Sequence, residues 1–112
     1  MADAYKQGLA HIRARRFFEA HEDWERLWKT ASGSDRLFLQ GLIQLAAACV
    51  HIGRGNTAAA KRLLALAKEK LDRFGENEGG INLRFLRGEI GAALAEAPDV
   101  LLRVDLRGRF PV

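Results

Sequence analysis

Two side chains capable of acid–base and metal-ligand chemistry, His21 and Glu25, stand four residues apart in the run Phe17-Phe18-Glu19-Ala20-His21-Glu22-Asp23-Trp24-Glu25-Arg26-Leu27-Trp28. On a helix that spacing places them one turn apart, close enough to touch. At about 100° per residue, Trp24, Phe17, Trp28 and His21 fall within one narrow arc. His21 is therefore expected near the centre of an apolar face, and Glu25 just inside its edge. Glu22 falls at the boundary, while Glu19, Asp23 and Arg26 are expected to face solvent. Burying a lone carboxylate costs several kcal/mol unless it is paired, so Glu25 needs partners.

The next helical segment supplies candidates. From Leu37 to Ile52 it is apolar around most of its circumference, which predicts a central helix. One stripe is different and holds Arg36, Gln40, Gln44, Ala47, His51 and Arg54. A solvent-facing stripe would ordinarily carry Lys and Glu. Neutral Gln40, Gln44 and His51 around a small alanine read instead as a hydrogen-bonded or wet seam. A short turn separates the two helices, so they are expected to be antiparallel neighbours. His21 and Glu25 should then face Gln40, Gln44 and His51.

Three chemistries are open to such a cluster. It can be a closed hydrogen-bond network that fixes helix register. It can hold a divalent metal through His21, Glu25 and His51, with Glu22 nearby. It can present His21, oriented by Glu25, as a general base. The metal patterns of known helical sites are not met: His21-Glu22-Asp23-Trp24-Glu25 ends in Glu where HExxH needs His. Phe18 and Ala48 occupy the positions where ExxH would need Glu. No activated serine and no glycine-rich phosphate loop is present, so the residues lean away from an enzyme.

The elements that position these residues follow from the helical period. Helices are expected over about Asp3–Ala14, Arg16–Thr30, Asp35–Ile52, Thr57–Phe74 and Leu83–Glu96. Ser32 and Asp35 have the spacing of a capping box, Asn56 or Thr57 starts the fourth helix, and Asn82 starts the fifth. Ile81 and Leu86 have staple spacing around Asn82. The third helix should stop at Gly53 and Gly55, the fourth at Gly75, and the fifth at Pro98. Residues 76–80 read as a loop. Beyond Pro98, Leu102, Val104 and Leu106 alternate with Arg103, Asp105 and Arg107, which reads as an extended tail. The expected organisation is an all-α bundle of about five helices over residues 1–97. A tail, residues 98–112, is expected to pack on the domain or on a partner subunit.

Composition narrows the classes. At 112 residues, 48% hydrophobic and 29% charged, the chain has material for one core. No uninterrupted apolar run reaches the roughly 18 residues of a membrane span, and no signal-peptide pattern opens the chain. No membrane and a cytoplasmic location are therefore expected. The single cysteine, Cys49, lies in an apolar run and is expected to be a buried thiol. The net charge of +4 comes mostly from arginines, in Arg13/Arg15/Arg16, Arg84/Arg87 and Arg103/Arg107/Arg109. No aromatic stacking set or helix-turn-helix spacing accompanies them, so nucleic-acid binding stays the lesser alternative. The small size and one-sided tail make a second copy of the chain a candidate partner.

Two stretches carry a family resemblance. One is Arg16 to Trp28; the other is Phe38 to Ala48, followed by His51. Together with Gly55-Asn56, Ala59-Ala60, Leu63-Leu64, Ala67 and Gly80-Ile81-Asn82, they resemble the small helical proteins grouped as domain of unknown function 309. The likeness covers roughly Leu9 to Leu86 and implies a helical bundle, with no activity attached. The family-like positions are Glu19, His21, Glu22, Glu25, Trp28, Arg36, Gln40, Gly41, Gln44 and His51. The leading expectation is a small helical domain whose His/Glu/Gln seam binds a small polar ligand or a metal ion. The alternatives are a non-catalytic interaction or structural module whose seam is only a hydrogen-bond network, and a basic-surface nucleic-acid binder.

Overall fold

Apolar residues recurring every three to four positions, uninterrupted by proline, set the helices, and polar caps and glycines end them. The computed structural model describes residues 3–96. They form α1 (Asp3–Arg13), α2 (Phe17–Trp28), α3 (Gly33–Gly53) and α4 (Thr57–Leu71), then β1 (Asn77–Glu78), β2 (Ile81–Asn82) and α5 (Leu83–Ala95). The fold is all-α but for that two-residue hairpin, in which Asn77 pairs with Asn82 and Glu78 with Ile81. The tail expected over 98–112 lies outside the described residues.

The helix ends show their causes. Asn56 accepts from the Ala59 amide, and Asn82 from the Phe85 amide, each satisfying one of the orphan donors of a first turn. α3 closes on a Schellman turn: Gly55 takes φ +75°, its amide donates to Ile52 O, and the Asn56 amide donates to His51 O. α1 closes the same way without glycine. Arg15 adopts φ +61°, and the Arg15 and Arg16 amides donate to Ile12 O and His11 O. The Ser32–Asp35 capping box does not form. Ser32 is the N-cap residue of α3, but its side chain makes no capping bond. α4 stops at Leu71 rather than Phe74, where Arg87 of α5 donates to the carbonyls of Leu71, Phe74 and Gly75. A cation there opposes the negative end of the helix dipole.

Each helix packs chiefly on its neighbours in sequence, so α3 lies between α2 and α4. Its buried side chains include Phe38, Leu39, Leu42, Leu45, Ala46, Ala48 and Cys49. α3 is also long and apolar enough to cross a membrane, at 21 residues and a mean hydropathy of 1.3. Here that apolarity feeds the core on two sides. Gly41 lets α3 approach α4 closely, since a Cβ there would press on Leu71. α1 packs on α2, and Trp24, fully buried, donates its indole N–H to Tyr5 O across that contact. Tyr5 in turn donates its hydroxyl to Gly79 O at 2.5 Å, tying α1 to the hairpin. Gly79 sits at φ +58° against the Tyr5 ring, a place only glycine fits without strain.

Candidate functional site

The antiparallel run of α2 and α3 leaves a cleft of about 230 Å³ between them. His21, Glu25 and Trp28 line one wall, and Gln40, Ile43 and Gln44 line the other. His21 and Glu25 meet as their spacing required, with Nε2 3.3 Å from Oε2. The pair is less enclosed than the wheel implied: the Glu25 side chain is 45% exposed, and the His21 side chain 28%. Glu25 is therefore open to water and needs no buried counter-charge.

Three of the side chains that line this cleft, His21, Trp28 and Gln44, each hold a polar atom that is sealed from solvent and has no hydrogen-bond partner within the protein: Nδ1, Nε1 and Oε1. Buried polar atoms are nearly always paired, and each orphan costs about 1–3 kcal/mol. Among the described residues one further such side-chain atom is found, at Arg13 Nε, away from the residues that line this cleft.

Arg36, in the first turn of α3, lays its guanidinium 3.9 Å from the centre of the Trp28 ring. The cation–π contact holds the indole in place at the mouth of the cleft. The His21–Glu25 pair also borders a second cleft of about 270 Å³, whose walls carry more charged side chains. Its walls include Phe18, Glu22, Arg26 and Lys29. Glu22 is therefore beside the candidate site and outside the cleft that holds the orphans. Phe18 is 52% exposed, and its ring stacks on His21 at 6.3 Å between centroids.

His51 does not join the cleft. It sits in the last turn of α3, where its Nδ1 lies 3.2 Å from the side-chain Nδ2 of Asn56. The two turns of helix between Gln44 and His51 amount to about 10 Å. Among the described residues no three His, Cys, Asp or Glu side chains come together as a metal-binding group. The expected set His21, Glu25 and His51 is thus split, with two members at the cleft and one at the far end of the helix. Cys49 is buried, and burial pushes its thiol up to about 12, partly offset by the Arg15 charge. It is a packing residue, not a nucleophile.

Asp23 is the polar residue the sequence reading placed wrongly. It is buried at 5% exposure in the contact with α1. One carboxylate oxygen lies 2.5 Å from His11 Nδ1, and the other accepts from Arg26 at 2.9 Å. α2 is covered on two sides, by α1 and by α3, so a single apolar arc underestimates how much of it is enclosed. The available signal was His11 on the helix before it, a titratable donor able to meet a carboxylate there.

The family whose sequence model matches residues 5–63 is Domain of unknown function (DUF309). This chain belongs to DUF309. The DUF309 match runs from α1 into α4 and contains every residue of the α2–α3 cleft. It ends before the hairpin and α5, short of the Leu86 limit drawn from the resemblance. The chain is also similar to "Uncharacterized protein YpuF" of Bacillus subtilis (strain 168), 45% identical over 64 residues. That alignment takes in 55% of this chain and 37% of YpuF, so the chain spans little more than a third of that relative. Neither DUF309 nor the relative's name carries an activity.

Proposed function

We propose that the α2–α3 cleft binds a small polar ligand. The observation that carries this reading is a cleft walled by polar side chains of two helices, three of which, His21, Trp28 and Gln44, also hold a buried polar atom with no partner within the protein. A metal ion fits less well. His21 and Glu25 offer one nitrogen and one carboxylate, and the remaining polar side chains of the cleft are the neutral amides of Gln40 and Gln44 and the Trp28 indole, which cannot ligate. The reading assigns no reaction to the site and takes the setting as cytoplasmic.

A thermal-shift screen of the purified chain against small polar metabolites, with zinc, manganese and iron(II) salts alongside, tests it. A ligand that raises Tm in the parent chain, and does so far less in Gln44→Met and His21→Ala, supports the reading. Shifts that persist in both variants place the binding elsewhere. A screen in which nothing shifts Tm counts against the cleft as a site.

A further inference from the structure

We infer that the end of the bundle formed by the α1–α2 and α3–α4 turns docks a single-stranded nucleic acid, with Arg16 and Arg54 on its phosphates and Phe18 against a base. The inference goes beyond the cleft reading and rests on different residues.

Chain direction brings the basic residues together. Arg36 lies over Trp28, so the start of α3 is level with the end of α2. The two helices run antiparallel, and α2 begins beside the second half of α3. The Arg15 charge acts on the Cys49 thiol, which places the α1–α2 turn at that level. α4 returns along α3 with Leu71 and Lys70 against Gly41, so its first turns lie beside the end of α3. Arg13, Arg15, Arg16, Arg54, Lys61 and Arg62 therefore gather toward one end, and all but Arg13 are exposed.

Few carboxylates answer them. The sequence has no Asp or Glu from Ala4 to Phe18, and none from Arg36 to Lys68. Among the described residues no ion pair joins Arg13, Arg16, Arg54, Lys61 or Arg62 to a carboxylate. Glu19 and Glu22 of α2 border the patch, and Glu96 follows the last turn of α5, which runs toward this end. At the other end of α4 the cations are matched: Lys68 and Arg87 by Asp72, and Arg73 by Glu69. A solvent-open cluster of one sign raises the local concentration of polyanions. Arginine suits phosphate in particular, because its planar fork meets two oxygens at once.

Phe18 selects among polyanions. It stands in the first turn of α2, two residues after Arg16, and is 52% exposed. The sequence shows no set of stacking aromatics beside its arginines, but the fold leaves this ring outside the core. Unstacked bases lie on exposed aromatic rings while neighbouring cations take the phosphates. A duplex keeps its bases stacked inside and offers the ring nothing, and an acidic peptide brings charge without a base.

Fluorescence anisotropy of a labelled oligo(U) strand about twelve nucleotides long, titrated with the full chain, tests the inference. Saturable binding is expected at about 50 mM salt, with log affinity falling linearly as log salt rises. Arg16→Gln and Arg54→Gln should each lower that slope by about 0.7. Phe18→Ala should weaken binding at least about five-fold. Arg73→Gln, beyond the far end of α4, should change neither. All four positions are exposed, and circular dichroism of each variant checks that the fold is kept. No binding at about 50 mM salt overturns the inference, as does an unchanged slope in both arginine variants. Equal binding of the duplex, equal binding of polyglutamate of matched charge, or an unaltered affinity in Phe18→Ala overturns the single-stranded assignment. None of these outcomes bears on the cleft, which the thermal-shift screen with small metabolites tests separately.

Discussion

Asp23 of α2 holds His11 of α1 by its Nδ1 at 2.5 Å, and does so from a buried position. The same carboxylate takes the Arg26 guanidinium on its other oxygen, so both oxygens are engaged at the α1–α2 contact.

Removing that carboxylate loses two charge-assisted bonds, while its partners, His11 at 32% and Arg26 at 61% side-chain exposure, can turn to water. Asp23→Ala is expected to lower the unfolding free energy by roughly 1–2 kcal/mol, from the lost bonds across the α1–α2 contact. Glu25→Gln is expected to change it by no more than about 0.5 kcal/mol, because its side chain is half in water. Urea unfolding of the two variants beside the parent chain checks the contrast. A larger loss for Glu25→Gln than for Asp23→Ala would reverse the assignment of which acidic residue of α2 is structural.

The same pair shows where a sequence can be read and where it cannot. The helical period was enough to place five helices and to make α3 the central one, because that information sits in local spacing. It also put His21, Glu25, Gln40 and Gln44 on stripes that turn out to share a cleft. It failed for Asp23, whose burial depends on α1 folding back over α2, and no local pattern encodes that. It failed for His51, since a stripe along a long helix runs past the end of the cleft that its first half lines. The hairpin falls where the sequence suggests a loop at 76–80 and a helix cap at Asn82, because two-residue strands are too short to show alternation.

Gly8 is set by a contact of the same non-local kind. A Cβ at that position would fall within the Trp24 indole. Alanine is the better helix former by about 1 kcal/mol, but the displaced indole would lose its packing and its bond to Tyr5 O. Gly8→Ala is therefore expected to destabilise by roughly 2–4 kcal/mol. Thermal unfolding measures this, and a variant as stable as the parent chain would show that the indole has room to move.

Tyr5 ties stability to pH at the alkaline end. Burial, with a smaller contribution from the Glu78 charge, raises its hydroxyl from 10 to about 12. Below pH 10 both the folded and unfolded chains keep the proton. Above that the unfolded chain loses it first, so stability is full below pH 10 and falls as pH rises toward 12. Tyr5 is the only tyrosine in the chain, so tyrosinate absorbance follows it directly. The expected midpoint for the folded protein is well above that of the denatured chain, and the stability difference between the parent and Tyr5→Phe should shrink across the same window. Coincident midpoints would contradict the buried Tyr5–Gly79 contact.

The central claim is that the polar groups of the α2–α3 cleft stand unpaired within the protein, held for a ligand. The unfolding free energy of ligand-free Gln44→Met tests it most directly, since methionine keeps the side-chain volume and removes the amide. With an orphaned Oε1, the substitution is expected to leave stability unchanged or raise it by up to about 1 kcal/mol. A loss of roughly 1–3 kcal/mol would mean that the amide is already bonded inside a closed network, and would contradict the claim.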